Sequence, residues 1–285
     1  MKVAVISDVH SNVFALQTAL DFIEGKVDRI IFAGDIVGYG PQPQEAVKML
    51  QELNLPSYQV VGNHDLGVRF SYSDLVKKPR IDDFKILRQF RFRDAASLML
   101  DRNAKDINQD TQEFLESLMP KIAFTIGQEK FYMTHGAPST KSEDNICKYV
   151  KPPPYNDRET IMNRYVDCDK KARSANIIIN GHTHQRMLVA LDENDHFSLI
   201  ESKISSKAPD FPCKFEMKGK RFILNPGSIG QSRDGTGNAS FSVIDLEEHF
   251  IEFHDLDYPR KAFYKLVREK CVPDLYGEKF WAIKF

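Results

Sequence analysis

Residues 57–68 read SYQVVGNHDLGV. An apolar run ending in Val60 and Val61 stops at Gly62 and then presents Asn63, His64 and Asp65 in a row. Three polar side chains at the end of a buried strand must be hydrogen-bonded, solvated or bound to something, because burying them unpaired costs roughly 1–3 kcal/mol apiece. The stretch is therefore an ordinary turn or part of a site. Its neighbours repeat the theme: residues 3–8, VAVISD, and 29–35, RIIFAGD, are runs of the same kind, suited to strands buried on both faces. Between them lie helical patterns, with Leu16, Leu20 and Ile23 on one face of the first and Ala46, Leu50 and Leu53 on one face of the second. Strand, helix, strand, helix, strand predicts right-handed crossovers and a parallel sheet with both faces covered.

After Asp65 the pattern changes, and residues 66–120 read as a mostly helical insertion. Within it, DTQEFLESLMP suggests a capping box of Asp110 with Glu113 and a stop at Pro120. The basic run Arg88, Arg91 and Arg93 reads as a solvated face sooner than as a substrate clamp. Strand-like runs resume at 129–135, 175–182, 187–193, 196–202, 221–225, 240–246 and 250–254, spaced closely enough for antiparallel neighbours and a mixed or second sheet. A helix is expected from Pro259 to Lys270, followed by a tail whose Phe280 and Trp281 dock on the body. Segment 203–220, with the insertion, is expected to border a cleft.

Composition narrows the class. The chain has 285 residues, 42% hydrophobic and 28% charged, with a formal net charge of −1, which argues against a broad electrostatic footprint for duplex nucleic acid. Four scattered cysteines, Cys147, Cys168, Cys213 and Cys271, form no C-x-x-C pair and read as reduced thiols. MKVAVISD lacks the pattern of a secretory leader, and no run reaches the roughly 18 apolar residues of a membrane span. A cytoplasmic protein with no membrane partner is expected. There is no G-x-S-x-G elbow and no Walker glycine loop, which disfavours a serine nucleophile and an NTP-driven motor.

Several runs end alike. Asp8 and His10 follow the first, Gly34-Asp35 the second, Gly62-Asn63-His64-Asp65 the third, His135-Gly136 a fourth and Gly181-His182-Thr183-His184 a fifth. If these strands share one fold, their carboxyl ends converge on the edge where open α/β sheets bind ligands. Of eight histidines five sit there, while His196, His249 and His254 lie in or beside later strands. The spacing i, i+2 in Asp8/His10 and His182/His184 puts both side chains of a pair on one side of an extended segment, where they can reach one metal or adjacent metals. Imidazole, carboxylate and one amide oxygen suit Mn, Fe, Zn or Co better than a thiolate-preferring site would.

With SDVHSN, AGDIVGYGP, VVGNHD, MTHGAP and INGHTHQ in this order, the chain resembles the calcineurin-like metallophosphoesterase superfamily over about residues 1–246. It looks nearest to the small bacterial and archaeal branch that carries a late NPGS segment, here LNPGSIGQSRDG. The resemblance implies an α/β fold, a four-layered α/β/β/α sandwich of two mixed β-sheets flanked by helices. The expected organisation is a metallophosphoesterase domain over 1–254, with the 66–120 insertion inside it, and a C-terminal helix and tail over 255–285 packed on it.

Carried over motif by motif, the resemblance implies that Asp8, His10 and His184 hold one metal, that Asn63, His135 and His182 hold a second, and that Asp35 bridges both. It implies a metal-bridging hydroxide as nucleophile, His64 facing the substrate as a general acid, and Asp65 steadying the His64 ring and favouring its protonated form. Asn12, Tyr39 and Arg233 are candidate phosphate contacts, against the plain readings of a helix cap, a packed ring and a surface charge. The expected partner is a small phosphorylated substrate, nucleotide-like in one version. The expected activity is hydrolysis of phosphodiesters, phosphomonoesters or dinucleoside polyphosphates, and the alternative is a catalytically silent protein-binding scaffold of the same fold.

Overall fold

The computed structural model describes residues 1–75, 94–140, 145–146, 170–192, 197–199, 212–217 and 221–271. Arg88, Arg91, Arg93, Cys147, Cys168, His196, Phe280 and Trp281 lie outside the described residues. The chain opens with β1 (Lys2–Ile6), α1 (Val13–Ile23), β2 (Arg29–Phe32), α2 (Pro43–Gln51) and β3 (Ser57–Gln59). Three described helices follow: α3 (Asn63–Leu75), α4 (Asp94–Asp106) and α5 (Gln109–Ser117). Next come β4 (Lys121–Ile126), β5 (Glu129–Thr134), α6 (Lys170–Arg173), β6 (Ile177–Ile179), β7 (Arg186–Leu191), β8 (Phe197–Leu199) and β9 (Cys213–Glu216). The described chain closes with β10 (Arg221–Pro226), β11 (Ala239–Asp245), β12 (Phe250–Leu256) and α7 (Arg260–Lys270).

Two six-stranded sheets result, ordered β3-β2-β1-β11-β12-β9 and β4-β5-β6-β10-β7-β8. Both are mixed. β1, β2 and β3 are mutually parallel, as are β5, β6 and β10, and every other pairing is antiparallel. The period-2 alternation of β1 explains the layering. Val3 and Val5 face a core shared with Phe131, Met133, Ile177, Ile179 and Leu224 of the second sheet, while Ala4 and Ile6 face a core shared with Leu16, Ala19, Ala46 and Val47 of α1 and α2. On the far face of the second sheet, Tyr132, Ile178 and Val189 pack against Ala172 of α6. The architecture is the α/β/β/α sandwich of two mixed sheets.

Some local expectations need correction. The runs predicted as strands to residues 8, 35 and 63 leave the sheet at Ile6, Phe32 and Gln59, so their polar ends are loops and a helix start. The first turn of α5 is capped by Asn108, whose side-chain oxygen accepts from Thr111 N at 2.9 Å, so Asp110 is not the cap. Asp110 lies in the first turn, where a negative charge suits the helix dipole. β4 was not expected; its alternation is only half-buried and follows Pro120 directly. Of segment 203–220, β9 pairs with β12 as an edge of the first sheet, and residues 203–211 and 218–220, on which the expectation of a cleft border also falls, lie outside the described residues. The helix predicted over 259–270 is α7, which buries Phe263 against Phe14 and Tyr258. No described helix is long and apolar enough to cross a membrane.

Candidate metal centre

The parallel strands of both sheets deliver their carboxyl ends to one place. Backbone hydrogen bonds then stitch the loops together: Asp8 N donates to Gly34 O at 3.0 Å, His10 N to Asp35 O at 3.0 Å, Gly181 N to His135 O at 2.9 Å and Gly230 N to Asp8 O at 2.9 Å. Asn63, His64 and Asp65 form the first turn of α3. Its free N-terminal amides need acceptors, and His64 N finds Asp35 Oδ1 at 2.8 Å. Asp8, His10, Asp35, His182 and His184 all have positive φ, between 50° and 69°.

Each carboxylate gives one oxygen to the fold and leaves the other for the centre. Asp8 Oδ2 accepts from Ser7 Oγ at 2.7 Å and from His182 N at 3.0 Å, while its Oδ1 lies 3.2 Å from His184 Nε2. Asp35 Oδ1 is taken by His64 N, while its Oδ2 lies 3.2 Å from His135 Nε2 and 3.7 Å from His10 Nε2. Three imidazoles are fixed from behind by carbonyls: His10 Nδ1 by Val37 O at 3.3 Å, His135 Nδ1 by Ala33 O at 2.6 Å and His184 Nδ1 by Gln231 O at 2.7 Å. A carbonyl only accepts, so Nδ1 carries a proton and Nε2 points inward, the arrangement of a metal-ligating histidine once Nε2 itself is free of a proton.

These inward-facing atoms test whether the residues fit a cation. His10 Nε2 and His184 Nε2 face each other at 3.0 Å, which is repulsive unless a proton or a metal ion lies between them. Asp8 Oδ1, Asn63 Oδ1 and His135 Nε2 are buried without a hydrogen-bond partner. Buried acceptors left orphaned cost free energy that a bound cation removes. The donor atoms of Asp8, His10, Asp35 and His184 lie within 4.8 Å of one another, as do those of Asp35, His135 and His182. The residues fit metal binding, and Asp35 belongs to both groups.

Electrostatics agree. Burial would raise Asp8 and Asp35, but neighbouring imidazoles hold both carboxyls well below the usual range. Burial lowers His10, His182 and His184, so these rings are neutral and ready to bind. For His135 burial is outweighed by the Asp35 and Asp8 carboxylates, which bring it up to about 9.

Around this cluster stands a rim. The His64 ring lies 4.2 Å from Tyr39 and 4.7 Å from His10, centroid to centroid, and Tyr39 lies 4.7 Å from His10. Arg233 is exposed, donates through Nη2 to Gln231 Oε1 at 3.1 Å, and depresses His184, His64 and His10 by its charge. Two further candidates are held by hydrogen bonds to backbone. Asp65 accepts from Asp35 N and Gly62 N through Oδ2, both at 2.9 Å, and from Val37 N through Oδ1 at 3.0 Å, so its carboxylate fastens the backbone of two loops. Burial is the largest influence on the His64 ring and brings it down to about 4. Asn12 is spent as the cap of α1: Oδ1 accepts from Ala15 N at 3.1 Å, and Nδ2 donates to Gly230 O at 3.0 Å and to Tyr258 Oη at 3.2 Å.

Sequence reasoning missed the residues that hold the loops. Asn103 of α4 bonds Ser11, Gly38 and Gly40. Asn225 Nδ2 donates to Gly181 O at 2.7 Å beside His182, and Ser228 Oγ donates to Asp8 O at 2.8 Å. Asn225 and Ser228 are the polar residues of the NPGS segment, a signal that could have placed them. Asn103 has none.

Residues 1–249 match the Calcineurin-like phosphoesterase superfamily domain. An uncharacterized protein of Methanocaldococcus jannaschii is 31% identical over 280 residues, 98% of this chain and 97% of that one. The crystal structure of a metallophosphoesterase from Sphaerobacter thermophilus is similar with a TM-score of 0.71 and 27% identity, over 99% of each chain. A shorter likeness, 32% identity over 88 residues and 30% of each chain, is to a protein named bis(5'-nucleosyl)-tetraphosphatase, symmetrical, from Baumannia cicadellinicola subsp. Homalodisca coagulata. Five strand-end motifs, a pair of mixed sheets and a cluster of inward lone pairs thus agree with likeness along almost the whole chain, and the protein belongs to the calcineurin-like phosphoesterase superfamily.

Proposed function

We propose that this chain hydrolyses phosphate esters at a centre of two divalent or transition metal ions. In this reading Asp8, His10 and His184 would hold one ion, Asn63, His135 and His182 would hold the other, and Asp35 would serve both. The observation that carries it is the set of inward-facing donor atoms, with orphaned oxygens and opposed imidazole lone pairs, grouped around Asp35. Bound there, the ions neutralise phosphate charge and activate water for in-line displacement. The chain's own groups do the rest. Backbone carbonyls hold the imidazoles in one tautomer, and the Asp65 carboxylate locks the loops that carry Asp35 and Asn63. His64, neutral near pH 7, donates a hydrogen bond from its ring N–H to a phosphoryl or leaving-group oxygen. Tyr39 walls the ring, and the exposed Arg233 guanidinium attracts the anion and pairs with its outer oxygens.

The 88-residue likeness to a dinucleoside tetraphosphatase adds dinucleoside polyphosphates to the plausible substrates of this centre, beside simple mono- and diesters. The test strips the protein of metal, resupplies Mn, Fe, Zn, Co or Mg singly, and measures ion stoichiometry and hydrolysis of aryl mono- and diesters, cyclic nucleotides and dinucleoside polyphosphates. Two ions per chain with metal-dependent turnover is the expected result. Stoichiometric ions with no turnover on any substrate would instead support the protein-binding scaffold.

A further inference from the structure

We propose that Asn103 is a positioning residue for His64, so that α4, within the helical insertion, sets the placement of the substrate-facing ring. The proposal rests on the role given to His64 above. The Asn103 side chain is fully buried and ties together two loops of the centre. Its Oδ1 accepts from Ser11 Oγ at 3.0 Å and from Gly38 N at 2.9 Å, and its Nδ2 donates to Gly40 O at 3.0 Å. Every hydrogen-bonding direction used is directed at a site loop and none at its own helix.

The loop it grips is the one that shapes the surroundings of His64. Gly38 sits at φ 119°, a conformation that favours glycine, and a methyl group there would lie 2.6 Å from His64 Nδ1. The Gly38 backbone is therefore the floor under the ring. Tyr39, the next residue, packs against the ring at 4.2 Å with the two planes tilted by 54°, and Gly40 N donates to His10 O at 3.0 Å. From the other side, Leu100 of α4 packs onto Gly67 of α3 so closely that a methyl on Gly67 would lie 2.6 Å from Leu100 Cδ1. His64 rides on the first turn of α3. One turn of α4, from Leu100 to Asn103, thus touches both the helix that carries His64 and the loop against which its ring rests. A displacement of about 1 Å in such a group is enough to lose orders of magnitude in rate.

A double-mutant cycle with a spectroscopic readout tests this. Asn103→Ala and the near-isosteric Asn103→Asp, which turns the donor toward Gly40 O into an acceptor, are each made alone and with His64→Asn. Expected are a roughly tenfold fall in kcat with KM and ion stoichiometry little changed, less than a twofold further fall in the His64→Asn background, and partial rescue by Asn103→Gln. Independently of turnover, histidine-labelled protein should show the His64 ring resonances moving in Asn103→Asp while those of His135 and His182 stay. An equal loss of rate in both backgrounds, loss of ions, or an unmoved His64 resonance would each overturn the proposal. If the parent protein turns over nothing, the functional reading fails, and the resonance comparison still decides the placement of His64.

Discussion

The donor cluster and the rim around it are built on opposite logic. In the cluster, side chains are held from behind by the backbone and present unpartnered atoms forward: His10, His135 and His184 each have Nδ1 on a carbonyl, while Asp8 Oδ1, Asn63 Oδ1 and His135 Nε2 have no hydrogen bond. In the rim, the groups lean on one another. His64 and Tyr39 pack against each other and both touch His10, and Arg233 reaches Gln231 Oε1 from an exposed position. The cluster is arranged to receive charge at fixed points, and the rim to meet something that comes and goes. Damage to the first should remove ions, and damage to the second should spare them.

The largest effect is expected from Asp35→Ala. Asp35 belongs to both donor groups and also accepts the first amide of α3, so ion stoichiometry by elemental analysis should collapse together with turnover. Retention of two ions would break the distinction at its centre. Next comes His64→Asn, which should keep both ions and lose about 10²–10⁴-fold in kcat, the usual worth of a positioned proton or hydrogen-bond donor. A fully active variant removes His64 from the chemistry.

The pH dependence of ion binding sharpens the comparison further. His135 titrates at about 9 in the ion-free protein, so it carries a proton at pH 7 that must leave before the ring can bind a metal. Affinity should therefore rise with pH by up to about tenfold per unit until about 9, with a proton released near neutrality that calorimetry in buffers of differing ionisation enthalpy can count. The smallest effect is at Arg233→Ala. Loss of one exposed charge-assisted contact should raise KM by about tenfold or less, with ions retained and kcat nearly unchanged. A loss of ions there would place Arg233 with the cluster.

The strands and the convergence of their ends were legible because both leave patterns in the sequence. Apolar runs stop at glycines, and chemistry-bearing residues follow at i, i+2 spacing. β4 and β9 were not legible for want of length and burial: KIAFTI and CKFE do alternate, but over only six and four residues, and both are half-exposed antiparallel strands at sheet edges. The hydrogen bonds of Asp65, Asn12 and Asn103 were not legible for a different reason. Each acts through side-chain hydrogen bonds to loop or helix backbone far from any motif pattern. A polar residue bound to backbone looks in sequence like a polar residue bound to anything else. The downward pull on His64 was not legible because it comes from burial, which a single line of letters does not show.

The left-handed backbone at Asp8, His10, Asp35, His182 and His184 makes the centre an elastic element of the whole molecule. A non-glycine residue held there costs about 1–2 kcal/mol, so five of them load the fold by an amount comparable to the net stability of an ordinary domain. Hydrogen bonds between the loops bear that load, and ions bound to the folded chain would add stability by mass action. Melting temperature should therefore report occupancy as directly as any assay of turnover.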